Sequence, residues 1–226
     1  GHGRRAPGRH RRAAAVHVVD RMQRLSRAPP VRAPFRAVLL LSMERLDEAL
    51  STAEQSVAVY RAAVGAEHNQ TSLARVNLAR VLTRLGRLDE AEREYRDVLA
   101  IRRRTLAPGH EDIAVTLDAF AMLLNKRGRH AEAAAAAAEA RAMFTATFGP
   151  EHWRTASAEI GLGEALAGRG DYEAAVAMLD HACSASAAAG PGRAGQARAC
   201  RSRLARVYAA WGKPELAAEY GLEAPR

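Results

Sequence analysis

Residues 86–95 read GRLDEAEREY, and the chain returns to this theme four more times. ERLDEALSTA begins at Glu44, GRHAEAAAAA at Gly128, GDYEAAVAML at Gly170 and GKPELAAEYG at Gly212, each start 42 residues from the next copy. Self-similarity at a fixed period of a few tens of residues marks a stacked array, whose single units cannot bury their own apolar faces. Within residues 70–105, Leu78, Leu82 and Leu85 recur at helical spacing and form one apolar stripe. Gly86 then predicts a helix end, because glycine enters the left-handed backbone region without a side-chain penalty. A second helix follows, with Leu88, Ala91, Tyr95, Val98 and Leu99 on one face.

Shifting this pattern by one period preserves it. Phe120, Ala121, Leu124, Gly128, Ala133 and Ala140 carry it in one copy, and Leu162, Gly163, Leu166, Gly170, Ala175 and Ala182 in the next. Leu204, Ala205, Tyr208, Gly212 and Ala217 follow. The leading copy keeps Ala37, Leu40, Ala49 and Ala53 but has Pro34 where its first helix should be under way, so it is expected to be truncated or frayed. The expected fold is all-α, an α-solenoid of antiparallel helix hairpins with about four and a half repeats. Its units fall at about 43–68, 69–110, 111–152, 153–194 and 195–226, and together they form one body over 43–226.

Charge divides the chain differently. The 226 residues carry a net charge of +9, yet all of that excess lies in residues 1–42, where ten arginines meet one aspartate; from 43 onward the charges cancel. Residues 1–42 are therefore expected to be a basic, flexible segment. Nucleic-acid binding through it is the reading this charge invites, and it is disfavoured because no aromatic residue interleaves the arginines before Phe35. The run AAAVHVV is too short for a membrane span, and with His17 inside it and Asp20 behind it makes a poor signal core. A transit-peptide reading is weakened by the prolines at 29, 30 and 34. The body is expected to be cytoplasmic, with no membrane partner. The chain opens without Met, consistent with a fragment of a longer protein. Cys183 and Cys200 make neither a disulfide framework nor a zinc site and are expected to be small buried thiols.

The order Leu78, Ala79, Leu82, Gly86, Ala91, Tyr95, Val98 resembles the tetratricopeptide repeat, whose basic unit is about 34 residues. LAIRRRTLAPGHEDIA, residues 99–114, is similar to the longer variety found in kinesin light chains; it keeps the linker histidine and lacks the proline after it. FGPEHWRTASAEIGLGEALAGRGDYEAA (148–175) and RVYAAWGKPELAAEY (206–220) resemble the closing repeats of tetratricopeptide regions C-terminal to bacterial serine/threonine-protein kinases, and similar arrays end bacterial signalling NTPases and transcription regulators. The resemblance implies a protein-interaction scaffold, with a regulatory or docking region of such a kinase as the alternative.

It also implies where a partner binds, since first helices line the concave groove of such arrays. The corresponding positions are Asn77, Arg80 and Arg84; Asp118, Met122, Asn125 and Lys126; Ile160 and Glu164; Arg203 and Arg206. Basic residues dominate both ends, which points to a protein or peptide partner of acidic character. The lysine and asparagine set that clamps chaperone C-termini is not matched, because Val76 and Arg80 stand in its places. Of the kinesin-light-chain asparagine ladder only Asn77 is clearly kept.

Enzymatic readings find little support. His68, His110 and His152 share one repeat position, but stacked hairpins hold equivalent points at least about 8–10 Å apart, too far to converge on a metal. They are expected to structure the turn into the next helix. Gly161, Gly163, Gly168 and Gly170 lack both the spacing of a nucleotide loop and a preceding strand, and Gly163 occupies a position of close helix packing. Neither a His-Arg-Asp nor an Asp-Phe-Gly motif of a kinase occurs, nor a nucleophile elbow or phosphate loop. No catalysis and no cofactor are expected. Ala133 to Ala138 are read as a thin outer helix that weakens its repeat's core.

Overall fold

The computed structural model describes residues 33–220. They form ten α-helices and one 3₁₀ turn, with no strand among the described residues. The chain divides into two compact units, 1–77 and 78–226. The first holds α1 (Ala33–Ser42), α2 (Leu46–Val64) and the start of α3 (Asn69–Arg84), which continues into the second. Thus the last ten residues of the segment expected to be flexible are helical. Pro34 sits in the first turn of α1, where a missing N–H breaks no helical bond. The nucleic-acid reading of the basic tail falls largely on residues 1–32, outside the described residues.

The second unit continues with α4 (Leu88–Thr105), α5 (Glu111–Lys126), α6 (His130–Phe148), α7 (Trp153–Gly168), α8 (Tyr172–Ala188), α9 (Ala194–Ala210) and α10 (Pro214–Glu219). Each helix from α4 to α9 packs on its successor; in addition α5 packs on α7 and α7 on α9, the stacking of one hairpin on the next that the period predicts. The stripes read from sequence face this packing: Ala91, Tyr95 and Val98 are buried, as are Leu124, Ala133, Ala140, Ala175, Ala182 and Leu204. Burying a leucine such as Leu179 stabilises by about 2–3 kcal/mol.

The hairpin turns share one geometry. Gly86 has φ +79°, and the amide of Arg87 behind it donates to the Leu82 carbonyl at 2.9 Å, satisfying a carbonyl at the helix end. At the corresponding place in the first unit stands Glu44, at φ +58° and with the same bond from Arg45 to Leu40 at 3.0 Å. The turn is thus imposed by the array even where a side chain resists it, at a cost of roughly 1–2 kcal/mol.

Small residues set how closely helices approach. A Cβ on Gly163 of α7 would lie 2.7 Å from Leu179 Cγ of α8, so only glycine fits there. The alanine run of α6 buries Ala133, Ala134, Ala136 and Ala137; a Cβ on Gly161 of α7 would meet that of Ala137 at 3.8 Å. The thin helix fits a close approach of its neighbours.

The cysteines correct the sequence reading. Cys183 of α8 and Cys200 of α9 are both buried, but they are joined as a disulfide, Cα atoms 5.4 Å apart, and no free thiol remains. Seventeen positions separate them in the chain; they become neighbours only because α9 folds back along α8, a contact that cysteine spacing alone does not reveal.

Candidate functional site

The linker histidines act on the backbone. Nδ1 of His68, His110 and His152 accepts from the amide two residues on, at 3.2, 3.1 and 3.3 Å. Each imidazole thus satisfies a first-turn N–H that the helix leaves without a partner. They start α3, α5 and α7. The corresponding residue at α9 is Ala194, and the N-cap there, Arg193, makes no side-chain cap.

With those helices in register, their C-terminal halves open onto a cleft of about 570 Å³ in the second unit. Arg84 at the end of α3, Met122, Asn125 and Lys126 of α5, Glu164 of α7, and Arg203 and Arg206 of α9 line it. These are seven of the positions picked from sequence. Ala167, Gly168, Val207 and Ala210 add apolar wall, and Met122 is 47% exposed.

Polar contacts hold this lining in place. Lys126 Nζ donates to the Thr83 carbonyl at 2.7 Å, joining α5 to the end of α3. Asn125 Nδ2 donates to the Gly161 carbonyl of α7 at 2.8 Å, and its Oδ1 lies 3.4 Å from His130 Nδ1. The His130 ring fills the space a Cβ on Gly168 would need, so glycine is required at that edge. Arg203 Nε donates to Glu164 Oε1 at 2.5 Å, neutralising the acidic residue of the lining. Arg206 is exposed and makes no ion pair among the described residues. The cleft therefore combines an apolar wall with an excess of positive charge.

The other four positions chosen from sequence do not line it. Asn77 is buried and belongs to the first unit. Ile160 is buried in the core between α7, α8 and α9. Asp118 is buried too, its Oδ2 accepting from Ser157 of α7 at 2.9 Å; burial pushes its carboxyl above the usual range, against the opposing effects of the Ser157 bond and nearby Arg80. Arg80 is half-buried beside that group rather than at the cleft. Fixed-period counting places these residues on first helices, but Asp118 turns toward α7 and Ile160 into the core.

Two buried polar groups went unnoticed in the sequence. Arg102 of α4, 1% exposed, donates through Nη1 to the Asp112 carbonyl and Thr116 Oγ1 of α5, both at 2.6 Å. Glu159 of α7, fully buried, accepts from Arg141 Nε of α6 at 2.8 Å and meets His181 Nδ1 of α8 at 2.6 Å. The counterparts of Arg102 in the other repeats are Tyr60, Phe144 and Ser186, so the repeat pattern carries no sign of a buried charge. Among the described residues no cluster of three potential metal ligands forms, and no helix is long and apolar enough to cross a membrane.

Comparison with known proteins agrees with this architecture. The chain is similar in structure to kinesin-light-chain repeats of Podosopora anserina, with TM-score 0.66 and 24% identity over 84% of this chain and 92% of that one. It is similar to BtubC (BKLC) from P. vanneervenii, with TM-score 0.67 and 21% identity over 95% and 93%. It is also similar to a Rap protein complexed with competence and sporulation factor, with TM-score 0.70 and 16% identity over 83% of this chain and 50% of that one. At these identities the likeness is one of fold. No curated protein matches the chain. The family model for the tetratricopeptide repeat matches residues 33–104, 71–146 and 112–188, overlapping spans that cover most of the chain. With its period, its glycine turns and its stacked hairpins, the chain belongs to the tetratricopeptide repeat family.

Proposed function

We propose that this chain is a non-catalytic, cytoplasmic interaction scaffold whose cleft between α3, α5, α7 and α9 takes an acidic peptide segment carrying an apolar anchor. Tetratricopeptide repeat proteins generally mediate protein–protein interaction, which sets the class. The observation that carries the rest is the cleft lining. That lining holds four cations, Arg84, Lys126, Arg203 and Arg206, and one carboxylate, Glu164, which Arg203 pairs, beside the apolar wall of Met122, Ala167, Val207 and Ala210. An extended acidic strand could place carboxylates on the cations and a side chain against Met122. The Rap neighbour was solved in complex with a factor, which fits a partner-binding role.

The test is titration of a fluorescent peptide alternating Glu and Leu. Arg84→Glu, Lys126→Glu and Arg206→Glu together should weaken binding by at least about tenfold, and added salt should weaken it in the parent chain. Undiminished affinity in the triple variant, with helicity intact, would refute the assignment.

A further inference from the structure

We propose that Cys183–Cys200 is a thiol–disulfide exchange site that controls how firmly α9 is held, and through α9 the cleft. The consequence for the cleft and the role as a switch rest on the reading above; the exchange chemistry of the bond does not.

Three observations converge. The first is where the bond lies: Cys200 is on α9, three residues before Arg203 and six before Arg206, on the helix that supplies two cations to the cleft. The second is that this helix lacks the cap its counterparts have, its start being held by Gln196 bonding the Trp153 carbonyl at 3.3 Å and Arg193 over the Trp153 ring. α3, α5 and α7 each start on a histidine that bonds a first-turn amide, whereas α9 starts after Gly190 at φ +91° and a short 3₁₀ turn, with no side-chain cap. Among the described residues α9 is followed by the six-residue α10, with Ala217 as its buried residue. The third is the difference between the two sulfur-bearing residues. Both belong to the buried core with Leu179, Leu204 and Val207, but Cys183 is 8% exposed and Cys200 0%.

With both sulfurs in the core, exchange requires local opening of α9, and the attack by an incoming thiolate is assigned to the less deeply buried Cys183. The incoming sulfur bonds to Cys183 Sγ as the Cys183–Cys200 bond breaks and the electron pair leaves on Cys200 as thiolate, which takes up a proton. A second thiol then displaces the mixed disulfide, leaving two cysteine thiols and one external disulfide. The reverse sequence re-forms the bond with a small disulfide such as glutathione disulfide as oxidant. In a reducing compartment disulfides are transient and redox-sensing. In the cytoplasmic setting proposed above, the bond is thus a switch.

The test uses the whole chain. Purified in air, it should show no thiol to alkylating reagent; brief treatment with glutathione should give a mixed disulfide mapped by mass spectrometry to Cys183. Full reduction should lower the unfolding midpoint by roughly 5–10 °C and speed amide exchange in 194–210 while leaving 111–126 unchanged. Affinity for the Glu-Leu peptide should fall on reduction and return with glutathione disulfide. The Cys183→Ser, Cys200→Ser double variant should ignore reductant in every assay. Free thiols in the air-purified chain, a mixed disulfide at Cys200, or unchanged exchange in α9 on reduction would each overturn the proposal. If α9 loosens on reduction but the peptide never binds the oxidised chain, the exchange site stands and the cleft reading falls.

Discussion

The segment from α4 to α6 and the segment from α8 to α10 follow the same repeat pattern, yet different chemistry joins their helices. In the first, charge does much of the work. Glu92, with a side chain only 13% exposed, accepts from Arg96 at 2.8 Å, Arg127 at 3.1 Å and Arg129 at 2.6 Å; Arg129 also pairs with Glu132 and Arg127 with Asp89. Burial alone would raise the Glu92 pKa, but the bonds from Arg129 and Arg96 outweigh it and hold the carboxyl below its usual range. In the second, a disulfide and a run of rings replace the charges. Trp211 stacks on Tyr172 and Tyr208, Tyr208 on Tyr220, and Lys213 Nζ sits 3.3 Å from the Trp211 ring centroid. One repeat pattern thus tolerates two kinds of adhesive, because the buried alanines, leucines and glycine turns set the geometry and the surface of each interface is free to vary. The α4–α6 segment should respond to salt and acid, the α8–α10 segment to reductant.

The widest contrast comes from the cysteines. The Cys183→Ser, Cys200→Ser double variant should lose about 3 kcal/mol in denaturant unfolding, with exchange rising in α8 to α10 and not in α4 to α6. Equal loosening of both segments would show that they unfold as one unit and that the contrast is only apparent.

Next in size is the turn that both segments share. Gly128→Val should cost about 1–2 kcal/mol. Nothing lies within 4 Å of the added Cβ, so backbone strain is the cause. Glu44→Gly should move the other way, stabilising by roughly 1 kcal/mol in the same urea titration. A loss at Glu44→Gly would mean the left-handed turn there is not strained.

Glu92→Gln should cost about 1 kcal/mol in low salt and less as salt rises, whereas the double cysteine variant should show no such salt dependence. Because the folded pKa of Glu92 lies below its ordinary value near 4.5, its contribution is present above that value and is lost as pH falls through the lowered one. A urea midpoint for Glu92→Gln equal to the parent's at neutral pH would remove the network from the account.

The smallest effect lies at the junction between the segments. The bond to Glu159, opposed by burial and aided by Glu151, raises the His181 pKa above 6.5. Its stabilisation is therefore complete below that ordinary value and fades as pH rises through the raised one. With the ring 38% exposed, the effect should be a few tenths of a kcal/mol. His181→Gln should flatten this part of the stability profile against pH; an unchanged profile would show that His181 is not its source.

The amino-acid order alone was enough for the helices, their hairpin partners, the turns and the stacking, because each rests on local spacing that repeats with a constant period: Leu78 to Leu82 to Leu85, then Gly86, then Ala91 to Tyr95 to Val98. The last turns of α3, α5, α7 and α9, which the same period aligns, bring Arg84, Lys126, Glu164 and Arg206 around one cleft. Tertiary structure decided which side chains of the same helices turn inward. Asp118 meets Ser157, Ile160 enters the core, and Glu159 gathers Arg141 and His181 from two other helices. It also joined Cys183 to Cys200. Each of these depends on the rotation and spacing of one helix against another, which packing sets and a one-dimensional repeat does not encode.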